Sequence, residues 1–190
     1  MKAYVFLAPG FEEGEAVSTA DILQRAGIDV CLTSIDDTEN VTGARGFTIR
    51  ADSPFSGTDF SDGDIFFIPG GVPGADNLAN FAPLGAVLKQ AQSAGKTLCA
   101  ICAGPIVFQR FELLTGVMFT SHSSVRDTFD PAYYSEAPVV KCGNIYTGRG
   151  LAWALDLGLT IVENLISVKE ANRISLAIEN GAWEPMMYEY

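Results

Sequence analysis

Thr97-Leu98-Cys99-Ala100-Ile101-Cys102-Ala103-Gly104-Pro105 decides the reading of this chain. It opens as a short apolar run after the turn residues Gly95-Lys96, the pattern of a buried parallel strand. Small residues and a proline close it, and Ile106, Val107 and Phe108 continue as an apolar helical pattern. Ala-Gly permits a tight strand-to-helix reversal, and Pro suits the first helical turn. Cys102 therefore falls at the bend, near a helix N-terminus. The free N–H groups and dipole there favour an anion. A thiol so placed is expected to drop from a pKa of about 8.5 to about 3.5–7.5. Nucleophile elbows hold a reactive atom exposed with this geometry.

Two other readings of Cys102 stand beside that one. Free cysteine is among the most buried residue types, so an inert core thiol is the bland alternative. Cys99 and Cys102 also form a C-x-x-C, the spacing of a dithiol. Against it, Cys99 belongs to the strand. Three strand residues span about 10 Å and point the two side chains to opposite faces. A disulfide needs Cα atoms within about 7 Å.

The flanking chain reads as alternating strands and helices. Residues 2–8 form a buried strand broken by Pro9-Gly10. Glu12, Glu13 and Glu15 open a helix that Gly27 stops, and 29–34 is a second strand. Segments 41–44 and 47–51 suit a hairpin around Arg45-Gly46. Ile65-Phe66-Phe67-Ile68 is a third buried strand, ending in Pro69-Gly70-Gly71-Val72-Pro73-Gly74. Double glycine at a strand's C-terminal end lets backbone N–H groups approach a ligand, where open α/β sheets bind theirs. Residues 83–94 read as a helix and 118–121 as a short extended piece before His122. Segments 139–142 and 145–147 form a second hairpin about Gly143-Asn144. Helices follow over 151–166 and 168–180. The aromatic tail Trp183 to Tyr190 is expected to pack on the domain or on a second subunit. The expectation is a doubly wound, mostly parallel α/β sheet with helices on both faces and small antiparallel hairpin additions, in one domain over 1–190.

Composition narrows the function. The chain has 190 residues, with 12 Lys+Arg against 23 Asp+Glu and a net charge of −11. That speaks against nucleic acid or an anionic membrane as partner. The first strand-helix turn has acids where a phosphate loop would need glycines and lysine, so a phosphate-bearing cofactor is not expected. Four scattered cysteines and one histidine lack zinc-site spacing, and no metal is expected. With no export signal or membrane span in the sequence, the expectation is a cytoplasmic protein with reduced thiols.

Three motifs together are similar to the ThiJ/PfpI superfamily. They are Gly10-Phe11-Glu12-Glu13-Gly14-Glu15, Pro69-Gly70-Gly71 with Gly74-Ala75-Asp76-Asn77-Leu78, and Ala100-Ile101-Cys102-Ala103-Gly104-Pro105. More closely, they resemble its branch named for the parkinsonism-associated protein deglycase, the DJ-one branch. The motifs occur in the family's order, over nearly the whole chain. The resemblance implies a flavodoxin-like fold, a homodimer, and no metal or organic cofactor. It places the nucleophile on Cys102, the acid contacting it on Glu15 and a nearby histidine on His122. It assigns the backbone donors to Gly71 and Ala103, and puts Arg45 near a dimer interface and Arg149 near the site. Departures are Ala103 where protease-like members have His, Ser123 after the histidine, and Gly150-Leu151-Ala152-Trp153 after the arginine. The first speaks against peptidase activity; the others alter the pocket rim.

A thiolate and a carboxylate in contact cannot both be charged cheaply, so Glu15 is expected to be protonated. The expected function is glyoxalase III-like or deglycase-like chemistry on 2-oxoaldehydes such as methylglyoxal, or on their adducts. The competing expectation is a redox sensor or chaperone using the same cysteine. Thiamine-precursor synthesis, tied to some relatives, draws no support from the residues, because the acidic first turn suits a thiazole phosphate poorly.

Overall fold

The computed structural model describes residues 1–184. Nine strands and six α-helices run in the order β1 (Lys2–Leu7), α1 (Glu13–Arg25), β2 (Asp29–Ser34), β3 (Asn40–Thr42), β4 (Thr48–Arg50), β5 (Ser53–Pro54), β6 (Ile65–Ile68), α2 (Gly74–Asn80), α3 (Ala82–Ser93), β7 (Thr97–Ile101), α4 (Pro105–Arg110), β8 (Val139–Cys142), β9 (Ile145–Gly148), α5 (Ala154–Leu165) and α6 (Val168–Ala177). Seven strands form one sheet in the order β5-β2-β1-β6-β7-β9-β8, parallel except where β8 runs back along β9. Ala3 pairs with Ile65, Ile65 with Thr97, and Leu98 with Ile145. β3 and β4 form the separate hairpin expected around Arg45-Gly46.

Period-two alternation splits the central strands between two cores. Ala3, Val5, Leu7, Phe67 and Ile101 face one, filled by Ile22 and Leu23 of α1, Leu157 and Ile161 of α5 and Ile174 of α6. Tyr4, Phe6, Phe66, Ile68 and Ala100 face the other, filled by Leu78 of α2, Leu88 of α3 and Phe108 of α4. Helices thus cover both faces, which is why β6 and β7 are buried throughout and, Thr97 aside, apolar rather than alternating. This is the flavodoxin-like doubly wound arrangement.

The structure departs from the expectations in four places. Residues 74–80, not expected as a helix, form α2, because Ala75 and Leu78 bury against the sheet. The helix expected from 151 begins with the 3-10 turn Leu151–Trp153, and α5 starts at Ala154. The extended piece at 118–121 contributes a single bridge, Phe119 to Tyr134. Cys99 and Cys102 do not point to opposite faces: Cys102 packs against the cluster that contains Cys99. The strand ends at Ile101, and the next residue turns with φ +62°, which cancels the alternation. All four cysteines are free. At the start of the aromatic tail, Trp183 is buried, with its indole Nε1 donating to Glu163 Oε2 at 2.7 Å. The rest of that tail, 185–190, lies outside the described residues.

Candidate active site

The C-terminal ends of β1, β6 and β7 meet where the strand order reverses, and the candidate site is built there. Cys102 is held in the left-handed region at φ +62°, a conformation costing about 1 kcal/mol for a residue with a Cβ. Two backbone hydrogen bonds fix it. Its N–H donates to the Gly148 carbonyl at 2.9 Å, and its carbonyl accepts from the His122 N–H at 2.8 Å. Neighbouring strand β9 and the His122 segment therefore both brace the bend.

Glu15 rises into the same place from the first turns of α1 and is 1% exposed. Its Oε2 accepts from the Gly70 N–H at 2.9 Å. The Cys102 thiol and the Leu151 N–H are its other partners. The N–H groups of Gly71 and Ala103 donate to the Cys102 sulfur. The close packing explains the double glycine. A Cβ on Gly70 would stand 2.6 Å from Cys102 Cβ and 2.7 Å from Glu15 Oε2. Gly71 has φ +90°, and a Cβ there would stand 2.4 Å from the Glu12 nitrogen.

The electrostatics correct one expectation. Burial pushes the Cys102 thiol up to about 12, with the Glu15 carboxylate adding to the shift and the Ala103 and Gly71 amides opposing it. The helix N-terminus does not produce a free low-pKa thiolate. Glu15 moves up as well, to about 7, with burial first among the causes and the charge of Glu12 contributing. Both shifts express one fact: the desolvated pair tolerates a single negative charge. Between about pH 7 and about pH 12 the pair holds one proton in common. Amides on sulfur favour the thiolate with neutral Glu15; amides on the carboxylate favour the reverse.

His122 is exposed, and its backbone, not its ring, bonds Cys102. The ring Nδ1 accepts from the Ser124 N–H at 3.1 Å, so the neutral imidazole carries its proton on Nε2. Gly150 lies between ring and carboxyl: a Cβ built there would stand 3.5 Å from His122 Cδ2 and 3.9 Å from Glu15 Oε1. Arg45 is largely exposed and pairs with Glu12 Oε2 at 3.3 Å. Arg149 is bound to Glu136, its Nη1 donating to the Glu136 carbonyl at 3.1 Å. The fold therefore gathers Cys102, Glu15, Gly71 and Ala103, sets His122 beside them, and occupies both arginines with other carboxylates.

Sequence reasoning missed the two amides that hold Glu15, those of Gly70 and Leu151. Pro69-Gly70-Gly71 was the available signal for the first. The residue pattern alone did not separate the three acids of the first helix; the family resemblance singled out Glu15. Glu13 is a turn anchor: its Oε1 accepts from the Arg45 and Phe47 N–H groups at 2.9 and 3.1 Å. Glu12 pairs with Arg45, and only Glu15 meets the thiol.

A parallel-strand cysteine in a left-handed bend, bonded to a buried carboxyl from α1, defines a cysteine-site protein of flavodoxin-like fold. Residues 1–164 match the model of the DJ-1/PfpI family, and the chain belongs to that family. The Parkinson disease protein 7 homolog of Danio rerio is 34% identical over 91% of this chain and 94% of its own length. A Caenorhabditis elegans relative named "Glutathione-independent glyoxalase DJR-1.2" is 33% identical over 90% of this chain and 92% of its own. The solved structure of oxidized Toxoplasma gondii DJ-1 superposes with a TM-score of 0.91 at 36% identity, covering 96% of this chain and 99% of that one.

Proposed function

We propose that this chain is a cofactor-free, cysteine-dependent glyoxalase III-like or deglycase-like enzyme acting on 2-oxoaldehydes or their adducts. The observation that carries the reading is the Cys102–Glu15 contact, in which a nucleophile and a proton carrier share one proton near neutral pH. The nematode relative's name agrees with it.

In this reading the Cys102 thiolate adds to the aldehyde carbon of methylglyoxal and forms a C–S bond. Amides of Gly71 and Ala103 turn from sulfur to the new oxyanion. Glu15 gives its proton to that oxyanion, and its carboxylate, with His122 beside it, then takes the proton from the former aldehyde carbon and returns it to the neighbouring carbon, while the hydroxyl proton passes to the neighbouring oxygen. The product of that transfer is a thioester of a 2-hydroxy acid. Water adds to the thioester carbon, the C–S bond breaks, and lactate leaves with the thiolate restored. The two carbons exchange oxidation levels internally, so no external oxidant is consumed. Ala103 in the position after the nucleophile speaks against peptidase activity.

The protein acts, in the same proposal, as one cytoplasmic domain over 1–190 that pairs into a homodimer. Exposed Phe47, on the hairpin turn that Glu13 anchors, and exposed Val17 on α1 are apolar surface such a pairing would cover.

A second reading has one observation in its favour: the Toxoplasma relative was solved oxidized. A Cys102 sulfinate would take hydrogen bonds from the same amides and from protonated Glu15. The deciding experiment measures lactate formed from methylglyoxal without glutathione, beside Cys102→Ala. Turnover lost in the variant supports the enzyme. Turnover that survives it sinks the mechanism, and none in either protein shifts the function to oxidation sensing.

A further inference from the structure

His122 rides on a segment that burial holds at one side chain only, half-buried Val125. The 3-10 turn Ser123–Thr128 is capped by His122 and has no buried residue. The ring's Nδ1 contacts, with the Ser124 amide and hydroxyl, lie within the same turn, so the ring moves where the turn moves. Beyond that contact and the His122 N–H bond to the Cys102 carbonyl, polar ties fix the turn against the rest of the site.

Glu136 is placed to do this. One of its carboxylate oxygens pairs with the Arg126 guanidinium, in the middle of that turn. The other lies 3.6 Å from Nη2 of Arg149, whose Nη1 donates to the Glu136 carbonyl. Arg149 stands between Gly148, which takes the Cys102 N–H, and Gly150, which adjoins the His122 ring. One carboxylate thus joins both sides of His122. A second tie runs parallel to it. The Arg126 guanidinium lies 5.1 Å from the centre of the Tyr134 ring, and Tyr134 Oη donates to the carbonyl of Ser121 at 3.0 Å. Ser121 immediately precedes His122. At the far end, Gln109 Nε2 holds the Thr128 carbonyl at 2.8 Å; at the near end the His122 N–H holds the Cys102 carbonyl, and the Arg126 contacts tie the stretch between them.

We infer that Glu136 is a positioning residue, which fixes the His122 imidazole over the Cys102–Glu15 pair by clamping Arg126 to Arg149. The pairs are half-exposed, so each adds little to global stability. Local opening of a segment with one half-buried side chain is nevertheless sensitive to such ties. The clamp should therefore show in the order of His122 and not in the unfolding of the whole chain.

The inference rests on the proposed role of His122 for its effect on rate, but its test does not. The chain has one histidine. In tag-free protein, the imidazole Cε1–Hε1 correlation is then a single NMR cross-peak that reports His122 alone. In Glu136→Gln we expect that peak to move toward the position of free histidine, with the melting temperature little changed. The kcat for methylglyoxal should fall about fivefold with KM nearly constant. Arg126→Gln should move the peak in the same direction. Glu170→Gln, which breaks the remote pair with Arg173, should leave it in place. A peak that superposes on the wild type in both Glu136→Gln and Arg126→Gln overturns the clamp. A displaced peak in a protein that never turns over methylglyoxal supports the clamp and refutes the glyoxalase reading, so the two failures are distinguishable.

Discussion

Glu15→Gln should make the protein more stable at alkaline pH than at acid pH, relative to wild type, while abolishing its chemistry. The folded carboxyl is raised from the ordinary 4.5 to about 7. A carboxyl whose folded pKa lies above its unfolded value binds its proton more tightly in the native state. Wild-type stability therefore declines as pH rises from about 4.5 to about 7, and the loss persists above that window. A shift of this size corresponds to about 3 kcal/mol in full, and about 2 to 3 kcal/mol of it falls between pH 5 and pH 8. Glutamine keeps the shape and removes the titration. Its carbonyl can accept from Gly70, but its NH2 group must replace an oxygen that now serves other donors, at a pH-independent cost of about 1 kcal/mol.

The expected result is a variant that gains about 2 to 3 kcal/mol on wild type between pH 5 and pH 8. Urea unfolding of both proteins at several pH values measures this directly, read as the midpoint at a constant m-value. The slope assigned to Glu15 is that of the Cys102–Glu15 pair losing its first proton, and in the variant burial, the largest cause of the raised Cys102 value, still acts while the contribution of Glu15 is gone. Parallel pH profiles for the two proteins would refute the reasoning, since they would mean that Glu15 is not strained by its burial. A variant that is stabilised but inactive would fit a site in which function is held against stability.

Two further outcomes follow from the same geometry. Alkylation of Cys102 by iodoacetamide, followed by mass spectrometry, should accelerate as pH rises through about 7, where the pair loses its first proton, and an inflection at the ordinary thiol value of 9.0 would show that Glu15 does not share it. Gly70→Ala should lower methylglyoxal turnover at least about a hundredfold and cost about 1–3 kcal/mol in urea unfolding, because the new methyl would meet Cys102 and Glu15 at under 3 Å; near-normal activity would contradict the packing.

Much of this architecture was legible in the sequence because it is local. Ile65-Phe66-Phe67-Ile68 and Leu98 to Ile101 are apolar without alternation, the pattern of strands covered on both faces. The bend after Ile101 was equally legible, since Ala103-Gly104-Pro105 allows little else. What that local pattern could not supply was the field at the bend. A helix N-terminus suggested a free thiolate, but α4 begins with a proline, which donates no hydrogen bond. Desolvation and Glu15, contributed by a residue 87 positions earlier, outweigh the amides and raise the thiol. The three acids of the first helix show the same limit. All three fit the ordinary preference for carboxylates at a helix start. Their separate roles depend on what the fold brings to each: a hairpin turn to Glu13, a guanidinium to Glu12, and a thiol to Glu15. The turn requires an acceptor for its N–H groups and the thiol requires a carboxyl that can hold a proton. The two N–H groups of the hairpin turn satisfy Glu13, while Glu15 must share its pocket with the Cys102 thiol, and that pairing is what the helix-start pattern could not show.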